Sequence, residues 1–328
     1  MNKVIRTLLA LGVILTPAVI PLFVVYGYHQ TSLKDFIPYY DPLDDLYYWR
    51  QIKTFSAAGF DGGYYVVNEQ PAPASFTHFG AHGPLFPMLY GLPAKIVGWE
   101  PYDAPIFNGV VLMLALSLWV VTLRLNPKQL ILAGLVLGTF WPMPFYILSG
   151  MQESLHQAIA ILLVIVFYTV IRRRMTWWQR GLCLGFIVFV SLIRLTWVFL
   201  ALPLLLFSFP RITWRAVLLS AAATLVLLVV VIALTNGWLY SPYNANFIYE
   251  LQTKTSAALR DDGLGAALDT GIRLVVRNMG DNLEFFNRDT DLEVFQRYQV
   301  VVLLLVSVGW GIFLQRRAQS REPSDKTA

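Results

Sequence analysis

Apolar stretches of spanning length recur along the chain near residues 4–27, 104–123, 129–148, 154–171, 181–209, 216–236 and 298–314. Between 28 and 103, and again between 237 and 297, the pattern turns mixed and polar. Within the first mixed segment, Leu43–Ala58 predicts a short helix lying on the membrane surface, and the prolines and glycines after it argue against a further full span. Within the second, Leu264–Met279 carries apolar residues near helical spacing, with Arg273 and Arg277 on another side. That is the pattern of a helix lying in the interface.

The basic residues orient these runs. Lys3 and Arg6 precede the first, and Arg124 and Lys128 separate the second from the third. Arg172, Arg173, Arg174 and Arg180 follow the fourth, Arg211 and Arg215 follow the fifth, and Arg316, Arg317 and Arg321 lie beyond the last. The excess of Lys and Arg in cytoplasmic segments places all of these inside. Run 181–209 then has cytoplasmic charge at both ends, so it must go out and return. Each half is only about 20 Å long at 1.5 Å per residue, short of a hydrocarbon core of roughly 30 Å. The expectation is a pair of short helices with its tip at Ser191–Thr196 and Arg194 recessed in the membrane.

The fold class expected is therefore an all-α integral membrane protein of about eight transmembrane helices. Residues 1–315 form one membrane domain, and 28–103 and 237–297 are the extracytoplasmic segments. A polar cytoplasmic tail covers 316–328, and both termini are cytoplasmic. The first run has Lys3 and Arg6 before it but no small-residue cleavage pattern after it, so it is expected to be a retained span in the plasma (inner) membrane.

Composition agrees with this picture. Of 328 residues, 56% are hydrophobic and 14% charged, against roughly 25% charged in a soluble domain. The single cysteine, Cys183, excludes an intramolecular disulfide and a cysteine metal site. There is no phosphate-cradling glycine loop, no nucleophile elbow and no nucleic-acid module, so no nucleic-acid partner is expected.

Candidate chemistry concentrates at a few positions. The run Tyr39–Trp49 holds Asp41, Asp44 and Asp45 beside an apolar surface, where carboxylates are costly unless used. Asp41-Pro42 reads as a helix start, with Asp44, Asp45 and Tyr48 then forming a polar face. Asp44 or Asp45 can accept a proton from an incoming hydroxyl, or the pair can hold a divalent cation such as magnesium or manganese. His78 and His82 are four apart, but Gly80, Gly83 and Pro84 interrupt any helix that would make them a metal pair. His82 reads better as a phosphate-binding or hydrogen-bonding group, and for His78 a surface role stands equally beside a substrate-binding one. Glu153 stands at the outer end of the fourth run, with His156 one turn further in. Arg194 at a recessed turn must line a wet cavity or pair with an anion, either an acid of this chain or a lipid phosphate.

These parts together resemble the GT-C superfamily of polyprenyl-phosphate-sugar-dependent glycosyltransferases, among them the protein O-mannosyltransferases and the aminoarabinose transferases of lipid A. The resemblance lies in the first span followed by Asp44-Asp45 and Tyr48, and in the run His82-Gly-Pro-Leu-Phe-Pro-Met-Leu89. It continues in Ser149-Gly-Met-Gln-Glu153 and the short pair bearing Arg194, and so covers roughly residues 1–240. The chain departs from the family where Gly83 replaces a proline and where the acidic pair has Asp for the usual Glu.

The resemblance implies inverting transfer of a sugar from a polyprenyl-phosphate donor to a glycan, lipid or protein acceptor of the cell envelope. Asp44 would be the base, with Asp45 orienting it or binding a cation. Arg194 and His82 would hold the donor phosphate, with Asp41, Tyr48, His78 and Glu153 completing the substrate site among membrane lipids. The competing reading is a transporter or flippase of a lipid-linked saccharide, using the same outward cavity without a base.

Overall fold

A computed structural model describes residues 3–37, 44–59, 83–140, 142–172, 176–209, 212–235, 239, 247–284 and 302. Every regular element among them is helical. The chain divides into two compact units, Met1–Ala245 and Asn246–Ala328.

Among the described residues, four helices are long and apolar enough to cross a bilayer. Helix α1 (Lys3–Leu22) runs on through wider π-type turns to Tyr28, past Pro17 and Pro21, which remove two ladder donors. The others are α4 (Asp103–Leu123), α7 (Glu153–Arg172) and α10 (Trp214–Leu234). Apolar side chains such as Leu114, Leu118 and Val121 on α4, and Leu225, Val226 and Val229 on α10, face outward. A helix apolar on its outer side as well as its inner one suits lipid rather than water. The expected eight spans are thus met only in part among the described residues. Run 298–314 lies outside them apart from Val302.

One expected span is broken. Run 129–148 forms α5 (Pro127–Thr139) and α6 (Pro142–Ile147), two helices where a continuous one was anticipated. Pro142 and Pro144 cannot donate to the preceding turn, and each clashes with the carbonyl four residues back, so α5 stops before them. Its start is built by a capping box: Asn126 Oδ1 accepts from Gln129 N at 3.0 Å, Gln129 Oε1 accepts from Asn126 N at 2.9 Å, and Pro127 takes the first helical position.

Run 181–209 does form a hairpin of short helices. The outgoing arm is α8 (Trp177–Ser191), and Leu192–Arg194 make the turn. The return arm begins as a 3₁₀ helix, Leu195–Leu200, and continues as α9 (Ala201–Leu206). Pro203 has no N–H to give Phe199, which fits the tighter winding before it. Each arm is about 20 Å long, too short to cross alone.

Helix α2 (Asp44–Ala58) occupies the expected surface-helix segment. An unanticipated helix, α3 (Leu85–Val97), packs along it. Trp99, Tyr90, Phe86, Ile52 and Ile187 are among the fully or nearly buried side chains that join α2, α3 and α8 into one core with α4 and α7.

The ends of the first unit are polarised. Arg6 Nε donates to Leu125 O at 3.1 Å, so the basic start of α1 meets the Arg124–Lys128 turn. At the opposite end of α1, Val25 packs with Phe36 and Leu148, just before the Glu153 turn. The second unit holds α11 (Phe247–Asp261) packed against α12 (Leu264–Glu284). On α12, Leu274 is buried, whereas Leu264, Leu268, Ile272 and Val276 are exposed, and Arg273 pairs with Asp269 at 2.7 Å.

Candidate functional site

Three elements bring polar side chains to the end of the first unit away from the Arg6–Leu125 contact. The first turn of α2 supplies Asp44 and Asp45, which the N-terminal helix dipole favours there. The first residue of α7 is Glu153. The turn between α8 and the 3₁₀ arm supplies Arg194.

These groups meet. Arg194 Nη1 lies 3.8 Å from Glu153 Oε1, with the arginine side chain 49% and the glutamate 27% exposed. Asp44 and Asp45 both lie close enough to act on the charge of Glu153. Tyr48, one turn into α2, is buried with its ring edge-on to Phe86 at 5.4 Å. Burial, and then the neighbouring charge of Asp44, push its phenol well above the ordinary range, with Arg194 opposing more weakly. Tyr48 is therefore a neutral O–H group at any physiological pH. Tyr146 of α6 borders the same cluster.

The two aspartates differ. Asp44 is exposed, whereas Asp45 is fully buried. Asp45 lies against Gly150, in the turn that leads into α7. A Cβ at residue 150 would stand 3.0 Å from Asp45 O and 3.2 Å from Asp45 Oδ1. Glycine is thus what lets the acidic turn of α2 sit on the Glu153 turn. Gly150→Ala should force the start of α2 to shift and lower stability by about 1–3 kcal/mol. A thermal melt of the purified variant in detergent checks this, and an unchanged melting temperature would remove Gly150 from the account.

Asn108, in the apolar helix α4, organises the same turn. Its Nδ2 donates to Ser149 O at 2.9 Å, to Ile147 O at 3.1 Å and to Tyr146 O at 3.3 Å. Its Oδ1 accepts from the Tyr90 hydroxyl at 2.8 Å. One buried amide therefore ties α3 and α4 to the loop that presents Glu153. Sequence reasoning missed this residue; its signal is a lone asparagine within an apolar span.

Of the candidates named from the sequence, the structure gathers Asp44, Asp45, Tyr48, Glu153 and Arg194. Asp41, His78 and His82 lie outside the described residues. Gly83, next to His82, has φ +68, which a proline could not adopt, and this gives a physical reason for the departure noted at that position.

A divalent cation would draw on Asp44 and Asp45 together, yet one is exposed and the other buried against Gly150. Among the described residues no three His, Cys, Asp or Glu side chains gather as a ligand set. Asp44 and Asp45 thus differ in their access to an ion from solvent.

Around Glu153, polar demand is left open. Glu153 Oε2, Gln152 Nε2 and Ser154 Oγ are buried and have no hydrogen-bond partner among the described residues. Groups of that kind call for an explanation, such as an incoming polar ligand. The arrangement can accept a proton at Asp44, hold an anion at Arg194 and bind hydroxyls between them. Compared with protein-family models, with curated proteins and with solved structures, the chain finds no match in any of the three.

Proposed function

We propose that this chain is an inverting glycosyltransferase of the membrane, moving a sugar from a polyprenyl-phosphate donor to an acceptor hydroxyl at the outer face. One observation carries the reading: an exposed carboxylate, Asp44, stands with Glu153 and the half-exposed Arg194 at one end of a helical membrane unit. Base and cation on the same rim are what transfer from a lipid phosphate requires.

In this mechanism the Asp44 carboxylate takes the proton of the acceptor hydroxyl. The hydroxyl oxygen attacks the anomeric carbon from the face opposite the phosphate. The bond from that carbon to the phosphate oxygen breaks, and its electron pair leaves on the polyprenyl phosphate. Arg194 holds that phosphate, which competes with Glu153 for the guanidinium. Asp45 acts from within the fold by fixing the first turn of α2 on Gly150. The Tyr48 hydroxyl stays neutral beside the base. Gln152 and Ser154 offer the open polar atoms for sugar hydroxyls.

The reading also commits to an orientation in the plasma membrane, with 28–103 and 237–297 outside and both termini in the cytoplasm. In a Cys183→Ala background, cysteines at Ser75 and Thr253 should react with an impermeant thiol reagent added to intact cells, and one at Ser324 should not. Labelling at Ser324 would reverse the orientation and place the acidic rim on the wrong face for this chemistry. The reaction is tested by transfer of labelled sugar from a polyprenyl-phosphate donor to acceptor, with wild type and Asp44→Asn compared.

A further inference from the structure

We propose that His156 and Trp197 are positioning residues that hold Arg194 in register with Glu153. The proposal rests on reading Arg194 as the group that binds the donor phosphate.

The geometry is a two-rung ladder. On α7, Glu153 and His156 are three residues apart, so they lie on one face a turn apart. Arg194, the extended residue just before the 3₁₀ arm, is likewise three residues from Trp197, which lies on that arm. The first rung is the Arg194–Glu153 pair at 3.8 Å. The second is a hydrogen bond in which Trp197 Nε1–H donates to His156 Nδ1 at 3.1 Å. A backbone bond from Trp197 N to Arg194 O, 3.1 Å, ties these two residues together.

The rungs are unequal. The first is longer than a hydrogen bond and has a half-exposed cation, so it fixes little by itself. The second is within hydrogen-bond range and its imidazole is buried. Because Nδ1 accepts, His156 is neutral with its proton on Nε2. Register between the recessed turn and α7 is therefore set by the second rung. The first rung stays loose enough for Arg194 to exchange a carboxylate for a phosphate. His156 and Trp197 act on the donor only through the position of Arg194.

The test uses the full chain in lipid nanodiscs with a polyprenyl phosphate as the probe. Trp197→Phe keeps an aromatic ring and removes the donor; His156→Phe removes the acceptor. Each should weaken binding by about threefold to tenfold, the worth of one hydrogen bond. The double variant should bind no worse than the weaker single one, because both break the same bond. His156→Asn, whose Oδ1 stands close to where Nδ1 stood, should restore binding to within about twofold of wild type. In transfer assays the singles should raise KM for the donor and leave kcat near wild type.

Multiplying effects in the double variant, or a fall in kcat at unchanged KM, would overturn the proposal. A measurement that needs no substrate separates it from the reading on which it rests. In ¹⁵N-histidine-labelled chain, the Nδ1 signal of His156 should be that of an unprotonated, hydrogen-bonded nitrogen and should move in Trp197→Phe. If wild type binds no polyprenyl phosphate, the donor reading fails and the nitrogen signal alone decides the rung. If that signal stays in place, the ladder is absent.

Discussion

Asp44→Asn lowers sugar transfer by about 10²–10⁴-fold, the usual worth of a general base, and leaves donor binding near the wild-type value. The expectation follows from the division between the two aspartates. Asn matches Asp in shape, so the first turn of α2 keeps its geometry while losing the proton acceptor. Asp45→Asn acts differently. Asp45 is fully buried against Gly150, so its loss should register first as a lower melting temperature and only through that in turnover. Arg194→Ala should weaken donor binding with the fold intact, since its side chain is half exposed and its ion pair long. Steady-state kinetics and thermal melts on the three variants separate these roles. Wild-type turnover in both Asp44→Asn and Asp45→Asn would mean that neither is the base.

The second large effect falls on a residue with no chemical role. Asn108→Leu should lower stability by about 3–5 kcal/mol and abolish activity as a consequence, because it orphans several buried groups at about 1–3 kcal/mol each. The Tyr90 hydroxyl loses its acceptor and the carbonyls of Ile147 and Ser149 lose their donor, whereas Tyr146 O keeps Ser149 N and Oγ. Tyr90→Phe is the control. It removes one interhelical hydrogen bond, worth about 0.6 kcal/mol on average within membranes, and should be nearly silent. Denaturant or thermal unfolding in detergent resolves the difference. An Asn108→Leu protein as stable as Tyr90→Phe would show that the loop bearing Glu153 is held by other means.

How much of this was legible in the sequence depends on which force decides each element. Apolar length alone located α1, α4, α7 and α10, because a bilayer span needs about 20 apolar residues whatever its neighbours. Charge sign located the hairpin of α8 and α9, since Arg180 and Arg211 cannot end up on opposite faces without breaking the pattern of basic residues. A helix over the Leu43–Ala58 segment was readable, while the start read at Asp41-Pro42 lies outside the described residues.

What was not readable follows tertiary contact. Helix α3 forms despite Pro87 and Pro93. Pro87 falls in the first turn, where its missing N–H has no intrahelical partner, and the face around Phe86 and Tyr90 is buried against α2 and α4. The break between α5 and α6 was visible in Pro142 and Pro144 but was outweighed by apolar length. At the site, the sequence singled out Asp44, Asp45, Tyr48, Glu153 and Arg194 one by one. It could not say that Asp45 is buried and Asp44 exposed, because adjacent residues of a helix point about 100° apart and only packing decides which one turns inward. Gly150, Asn108, Tyr146 and the His156–Trp197 bond depend on contacts between distant segments and carry little local pattern.

The most direct measurement is made on purified wild-type chain in liposomes supplied with a labelled polyprenyl-phosphate sugar and an acceptor mixture from cell envelope. The account predicts that label moves onto acceptor, that the product has the anomeric configuration opposite to the donor's, and that Asp44→Asn slows the transfer by about 10²–10⁴-fold. Movement of the intact lipid-linked saccharide from one leaflet to the other, with no labelled acceptor and no effect of Asp44→Asn, would contradict it and identify the chain as a flippase.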